Sequence, residues 1–78
     1  MDKVLLRKFA KRIKNLRKEK GYTQDELSFR ANISRSMLGN IETAKNDIVL
    51  SKVNQLASAF EMTLSEFLNF EDDEAKRV

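Results

Sequence analysis

The sequence lacks several residue types on which particular folds and sites depend. It contains no cysteine, no histidine and no proline, and only two glycines among 78 residues. Without cysteine there is no disulfide framework or thiol chemistry, and without histidine as well the common zinc ligand sets cannot be assembled. The scarcity of proline and glycine favours a helical domain over a disordered or β-rich chain. We therefore expect no metal, and a fold that depends on its hydrophobic core.

Long apolar runs and the usual catalytic groupings are missing as well. The N-terminal residues 1–7 give way to further charges where a signal peptide would continue its apolar stretch. We expect no membrane span and a cytoplasmic location. With no histidine, no cysteine and no glycine-rich phosphate loop, an enzyme is the least favoured class. No cofactor and no small-molecule ligand are expected.

Positive charge is concentrated at the N-terminal end of the chain. Residues 1–20 contain nine lysines and arginines against two acidic residues, although the net charge of the whole chain is only +3. Such a segment suits a polyanion such as the DNA backbone, and it fits a solvated helix face equally well. Binding to a membrane surface is less favoured, because the apolar stripe of this segment has no tryptophan and is needed for the core. Charge alone leaves the first two interpretations open.

Apolar residues recur at helical spacing along the chain, and polar signals separate the helical segments. A stripe from Leu6 to Leu16 defines the first helix, which Gly21 can close in the left-handed conformation. The same reasoning predicts an all-α fold with five helices at about 3–19, 24–31, 35–43, 50–60 and 64–69. Residues 1–70 make one domain, and we expect the acidic tail at 71–78 to be frayed.

Two short helices in the middle of the chain have the dimensions of a helix-turn-helix unit. Thr23, with Glu26 three residues later, forms a capping box that begins one helix. Asn32 tolerates the positive φ of a tight turn, and Ser34 is a suitable N-cap for the next helix. These signals predict a helix-turn-helix motif at residues 23–43.

Several short motifs in this region carry a family resemblance. They are Thr23-Gln24 followed by Leu27, then Ala31 with Ile33-Ser34, then Ile41-Glu42. In this order and at these intervals they resemble the Cro and lambda-repressor (Xre) family of helix-turn-helix regulators. The resemblance covers residues 6–69 and implies a five-helix lambda-repressor-like DNA-binding domain. The short chain and compact fifth helix look most like the controller proteins of restriction-modification systems.

The function that this resemblance implies is sequence-specific regulation of transcription. Members of the family bind a palindromic double-stranded DNA operator as homodimers, with the third helix in the major groove. An antitoxin-type regulator that also binds a partner protein is the alternative, although the tail here is short and acidic. Two positions depart from the usual pattern. Phe29 stands where the second helix should face outward, as an interface residue or an anchor against the first helix, and Val49 replaces the usual cap of the fourth helix.

The resemblance assigns base contacts to the third helix. The expected base-contacting residues are Ser34, Arg35, Ser36, Gly39 and Asn40. Arg35 could pair with guanine O6 and N7, and Asn40 with adenine N6 and N7. A phosphate contact is the alternative for Arg35. Gly39 either allows a close approach to the duplex or is a tolerated defect in the helix.

Further positions match family residues that bind phosphate or hold the motif together. Gln24 corresponds to a phosphate-binding residue at the start of the second helix. Other phosphate candidates are Thr43, Lys45 and Asn46 after the third helix, together with whichever of Lys11, Arg12 and Lys18 face the duplex. Arg17 and Glu42 match a partly buried salt bridge, and two ordinary surface charges are the alternative.

The expected homodimer needs an apolar surface, and the C-terminal segment supplies candidates. Met62, Phe67, Leu68 and Phe70 are apolar residues that so small a domain cannot hide completely. The competing interpretation is that they only close the core of the monomer.

Overall fold

The computed structural model describes residues 2–70, which form five α-helices and no strand. The all-α prediction is therefore confirmed for this part of the chain, and the predicted tail at 71–78 lies outside it. None of these helices is long and apolar enough to cross a membrane. The helices are α1 Lys3–Lys20, α2 Gln24–Ala31, α3 Arg35–Glu42, α4 Leu50–Ala59 and α5 Leu64–Phe67.

Local capping interactions set most of the helix ends. The Asp2 carboxylate begins α1 by accepting a hydrogen bond of 2.8 Å from the Leu5 amide. Gly21 ends that helix with a φ of 73°, a left-handed conformation that costs glycine little. Complete capping boxes begin α2 at Thr23 and α5 at Thr63. Val49 stands at the cap of α4 and makes no capping bond through its side chain.

The turn between α2 and α3 is held by its own backbone and by α4. Asn32 has a φ of 55°, and the amide of Ile33 donates to the carbonyl oxygen of Ser28 at 3.0 Å. The side-chain amide of Gln55 in α4 donates to the carbonyl oxygens of Ala31 and Asn32 at 3.0 and 3.3 Å. These bonds satisfy carbonyls at the end of α2, which would otherwise lack partners, and fix the direction in which α3 leaves the turn.

The core lies between α1 and the other four helices. α1 contributes Phe9, Ile13 and Leu16, and every other helix adds at least one fully buried apolar side chain. Phe67 of α5 lies between Phe9 and Phe60, with ring centroids 5.7 and 5.9 Å away. The core residues supplied by α2 to α4 and the turn after α4 are Leu27, Ala31, Leu38, Ile41, Val53, Leu56, Ala57 and Phe60.

The short helix α5 is anchored by an arginine of α1. Arg12 is buried, and its guanidinium donates from Nε to the carbonyl oxygen of Phe67 at 2.9 Å and from Nη2 to that of Glu66 at 2.8 Å. The suggestion that Arg12 faces a DNA phosphate is therefore wrong, because its side chain points into the protein. At the other end of α5, hydrogen bonds from Thr63 lower the pKa of the Glu66 carboxyl.

Candidate nucleic-acid interface

The exposed face of α3 is mostly polar, with the apolar Met37 also exposed, and the opposite face belongs to the core. Ser34, Arg35 and Ser36 are exposed and Gly39 and Asn40 are half-buried, whereas the apolar residues Leu38 and Ile41 are buried. All the residues predicted to contact bases therefore lie outside the core. The Ser34 hydroxyl oxygen accepts a 3.0 Å hydrogen bond from the Met37 amide. Its own hydrogen remains a donor that can point outward.

A buried carboxylate joins α1, α2 and α3 behind this face. Glu42 accepts hydrogen bonds from Arg17 Nε at 2.9 Å and Nη2 at 3.2 Å, and from the Gln24 side-chain amide at 2.9 Å. The side chains of Arg17 and Glu42 are only 16% and 4% exposed. Arg17 also donates to the carbonyl oxygen of Tyr22 at 3.1 Å, at the start of the segment that leads into α2. The pair thus fixes the end of α3 relative to the beginning of α2.

Arg35 lies against the N-terminal turn of α2. Its Nη2 donates to the side-chain oxygen of Gln24, and its Nε lies 3.4 Å from Oδ1 of Asp25. A Cβ atom at Gly39 would approach Nη1 of the same guanidinium to 3.3 Å. Gly39 therefore makes room for Arg35, an explanation that sequence reasoning did not consider. Asp25 was likewise missed, because its position in the first turn of α2 already has an ordinary explanation in the helix dipole.

The loop after α3 turns back sharply and presents polar side chains. Ala44 has a φ of 57°, a left-handed conformation that costs a non-glycine residue about 1–2 kcal/mol. The Lys45 amide donates to the carbonyl oxygen of Asn40 at 3.0 Å, which holds this turn closed. Lys45 and Asn46 are exposed at its tip. The Thr43 hydroxyl is instead directed to the carbonyl oxygen of Gly39, 2.9 Å away.

These residues supply hydrogen-bond donors and little that could carry out a reaction. Gln24, Arg35, Asn40, Lys45 and Asn46 offer amide, guanidinium and ammonium groups along one connected stretch from α2 to the loop after α3. Such groups suit phosphate oxygens and the acceptor edges of bases. Within residues 2–70, no three acidic side chains come together in a way that could hold a metal ion.

A second exposed surface, distinct from the polar face, is an apolar groove between α1, α4 and the end of the described chain. It encloses about 240 Å³ and is almost free of polar atoms. We call it the α1–α4 groove. Leu50 is 67% exposed there. The groove is lined by Leu5, Phe9, Ile48, Leu50, Val53, Leu68 and Phe70.

The predicted dimer residues separate into three groups. Leu68 and Phe70 line the α1–α4 groove, whereas Met62 is half-buried and packs against the core. Phe67 is completely buried inside the monomer and offers no surface to a second chain, so its assignment to an interface is wrong. Phe29, by contrast, is almost entirely exposed on α2 and does not anchor that helix to α1.

Comparison with protein families and solved structures gives consistent matches. A family model described as helix-turn-helix, HTH_3, matches residues 13–67. The restriction-modification controller protein C.AhdI from Aeromonas hydrophila is 32% identical, with 81% of this chain and 96% of that one covered and a TM-score of 0.77. A comparison with curated protein sequences found no match.

Two other solved structures resemble the chain over nearly its full length. The controller protein C.Esp1396I, as a tetramer in complex with its natural 35 base-pair operator, is 25% identical, with coverage of 97% and 100% and a TM-score of 0.84. An HTH_3 family transcriptional regulator from Vibrio cholerae is 29% identical, with a TM-score of 0.83. The match covers 97% of this chain and 42% of that one. The family model matches more than half of this chain, which therefore belongs to the helix-turn-helix family HTH_3.

Proposed function

We propose that this protein is a cytoplasmic, sequence-specific regulator of transcription that inserts α3 into the major groove of double-stranded DNA. The observation that carries the proposal is the exposed polar face of α3, set beside the N-terminus of α2 in a helix-turn-helix. In this arrangement the reading helix meets base edges while the start of the preceding helix meets the backbone. A restriction-modification controller role is supported by the similarity to C.AhdI.

The residues of the polar face divide into those that read bases and those that hold phosphates. Arg35 and Asn40 are suited to guanine and adenine, and Ser34 and Ser36 can donate to either a base or a phosphate. Gly39 contributes through the space it leaves for Arg35 rather than through a contact of its own. Bonds to phosphate come from Gln24, Lys45 and Asn46, and they position the protein without selecting a sequence. Thr43 is left out of this set, because its hydroxyl donates to the carbonyl oxygen of Gly39.

Homodimer formation follows from the small reach of a single reading helix. α3 has eight residues and can span only a few base pairs, so tight specific binding needs a second copy about 34 Å along the duplex. A palindromic operator matches such a pair. We place the dimer contact at the α1–α4 groove, because it is an exposed apolar surface whose lining includes none of the residues assigned to DNA.

A selection from random duplexes tests the proposed DNA binding. The full chain is expected to enrich a palindromic sequence, with an affinity that falls steeply as salt rises because phosphate binding releases counterions. Arg35→Ala is expected to relax the preference at one position per half-site, by about tenfold. Lys45→Ala removes a cation at the exposed tip of the loop after α3 and should weaken all duplexes alike.

The control for this experiment is Arg30→Ala. Like Arg35→Ala it removes one positive charge, but from α2 instead of α3. The Arg30 guanidinium lies 4.4 Å from the centre of the Tyr22 ring, away from the side chains that hold Arg35. The Arg30→Ala variant should therefore keep the base preference of the original protein. A shallow salt dependence, or equal affinity for scrambled DNA, would contradict sequence-specific regulation. If Arg35→Ala and Lys45→Ala gave the same pattern, the assigned roles would be wrong.

A charge placed in the α1–α4 groove tests the dimer. Leu50→Glu is expected to convert the dimer to a monomer in sedimentation and to weaken operator binding by about a hundredfold. Leu50 is the first residue of α4, where a carboxylate is favourable to the helix, so the monomer should remain folded. Phe29→Glu changes another exposed apolar residue and should leave the dimer intact. Loss of the dimer in Phe29→Glu alone would move the interface to α2.

A further inference from the structure

The guanidinium of Arg35 is held along one edge before any ligand arrives. Nε faces the Asp25 carboxylate at 3.4 Å, and Nη2 donates to the Gln24 side-chain oxygen. Gln24 is itself fixed through its amide, which donates to the buried Glu42. Gly39 lies beside the remaining nitrogen of the guanidinium, Nη1. A Cβ atom at that position would come within 3.3 Å of Nη1. The two acceptors therefore hold one edge of Arg35, and Gly39 leaves space beside Nη1.

Stability does not account for the ion pair in this arrangement. The side chains of Arg35 and Asp25 are 50% and 87% exposed, and pairs this open to water contribute little to the free energy of unfolding. The helix dipole does not require Asp25 either, because the neighbouring Glu26 is acidic and also completes the capping box. The effect of Asp25 must therefore be sought in the position and charge of Arg35.

When Arg35 is held in this position, the edge of its guanidinium that pairs with guanine is not the edge that faces Asp25 and Gln24. Nε and Nη2 share one edge of the planar group, and that edge faces Asp25 and Gln24. Nη1 and the second hydrogen of Nη2 form the other edge, with two parallel N–H donors. Bidentate pairing with guanine O6 and N7 takes such a pair of donors. An arginine already confined to one arrangement also loses less conformational freedom on binding.

We propose that Asp25 is a positioning residue that directs Arg35 to guanine and disfavours its use as a phosphate contact. The inference rests on the proposed function, in which Arg35 reads a base. The Asp25 carboxylate largely cancels the positive charge of Arg35, so the pair offers little attraction to a phosphate on any sequence. Directed hydrogen bonds to guanine survive this cancellation, because they depend on the geometry of the free edge.

The test compares two variants that remove one negative charge each from the first turn of α2. Asp25→Asn removes the partner of Arg35, whereas Glu26→Gln removes a neighbouring charge and retains an acceptor for the capping box. Binding of the full chain is measured to the selected operator and to the same duplex changed at the base pair whose preference Arg35→Ala relaxes. Thermal unfolding of each variant verifies that the fold is intact.

Both variants are expected to bind the changed duplex more tightly than the original protein, because each loses a repulsive charge. Asp25→Asn should also lower the ratio of the two affinities by about tenfold, whereas Glu26→Gln should keep it. In a chain that already carries Arg35→Ala, Asp25→Asn should leave the ratio unchanged. Asp25→Glu, which restores a carboxylate, should recover part of the lost discrimination.

The outcomes separate this inference from the proposed function. An original protein that does not distinguish the selected operator from scrambled DNA overturns both. If the original protein discriminates and Asp25→Asn keeps the same ratio as Glu26→Gln, DNA recognition stands and the role of Asp25 is overturned. The role of Asp25 is also overturned if Asp25→Asn lowers the ratio of the two affinities in a chain that already carries Arg35→Ala. Asp25 would then act through another residue.

Discussion

Replacing Arg17 by alanine is expected to lower the free energy of unfolding by about 3–5 kcal/mol. The substitution removes both guanidinium bonds from the Glu42 carboxylate, whose side chain is only 4% exposed in the intact protein, and leaves it the bond from the Gln24 amide. A buried charge without its counter-charge is costly, because water no longer solvates it and no cation replaces the lost interaction. Chemical denaturation of the purified protein measures the change.

Two variants show whether the loss has this cause. Lys18→Ala removes a cation from the next residue of α1, which is exposed, and should change the stability by less than about 0.5 kcal/mol. Adding Glu42→Gln to Arg17→Ala should recover much of the loss, because the uncompensated charge disappears. An Arg17→Ala protein as stable as Lys18→Ala would mean that Arg17 and Glu42 act as an ordinary surface pair.

The interactions that could be predicted from the sequence are mostly local. The Thr23 capping box joins residues three positions apart, and the structure contains it as predicted. Asn32 adopts the expected positive φ because few other residues tolerate it. The predicted ends of α1, α3 and α4 each differ from the observed ones by one residue, whereas α5 ends at Phe67, two residues before its predicted end. No strong stop signal occurs in the sequence there.

Long-range polar contacts could not be predicted in the same way. Arg12 binds carbonyl oxygens 54 and 55 residues away, and a backbone carbonyl has no signature in the sequence. The sequence did offer one signal, because Arg12 lies three residues after Phe9 and four before Leu16, on the same face of α1 as the apolar stripe. The contact between Asp25 and Arg35 depends in the same way on the angle between α2 and α3. Family resemblance supplied Arg17 and Glu42, which residue spacing alone would have left as two surface charges.

The apolar C-terminal segment was difficult for a different reason. α5 has only four residues, which is barely one turn, so periodicity cannot indicate which of Phe67, Leu68 and Phe70 faces inward. The structure buries Phe67 between two other aromatic rings and leaves Leu68 and Phe70 along the α1–α4 groove. The remaining part of that groove comes from α1, from α4 and from the segment before α4, which only the folded chain brings together.

Replacing Arg12 by alanine is expected to lower the free energy of unfolding by about 3–5 kcal/mol. The substitution removes hydrogen bonds to the carbonyl oxygens of Phe67 and Glu66, and it leaves a cavity where a side chain that is 1% exposed had been. Because α5 has a single turn, it depends on this anchor more than a longer helix would. Thermal and chemical unfolding should both detect the loss.

Effects on α5 should extend to the dimer, since Leu68 and Phe70 follow that helix directly along the chain. We therefore expect Arg12→Ala to dissociate more readily than the original protein in sedimentation, even at temperatures where it remains folded. Arg12→Lys keeps the charge and loses the planar fork that reaches two carbonyls at once, so its stability should be intermediate. Lys11→Ala, one residue earlier and only partly buried, is the matched control and should change little. Equal stability of Arg12→Ala and Lys11→Ala would show that α5 stays in place through Phe67 alone.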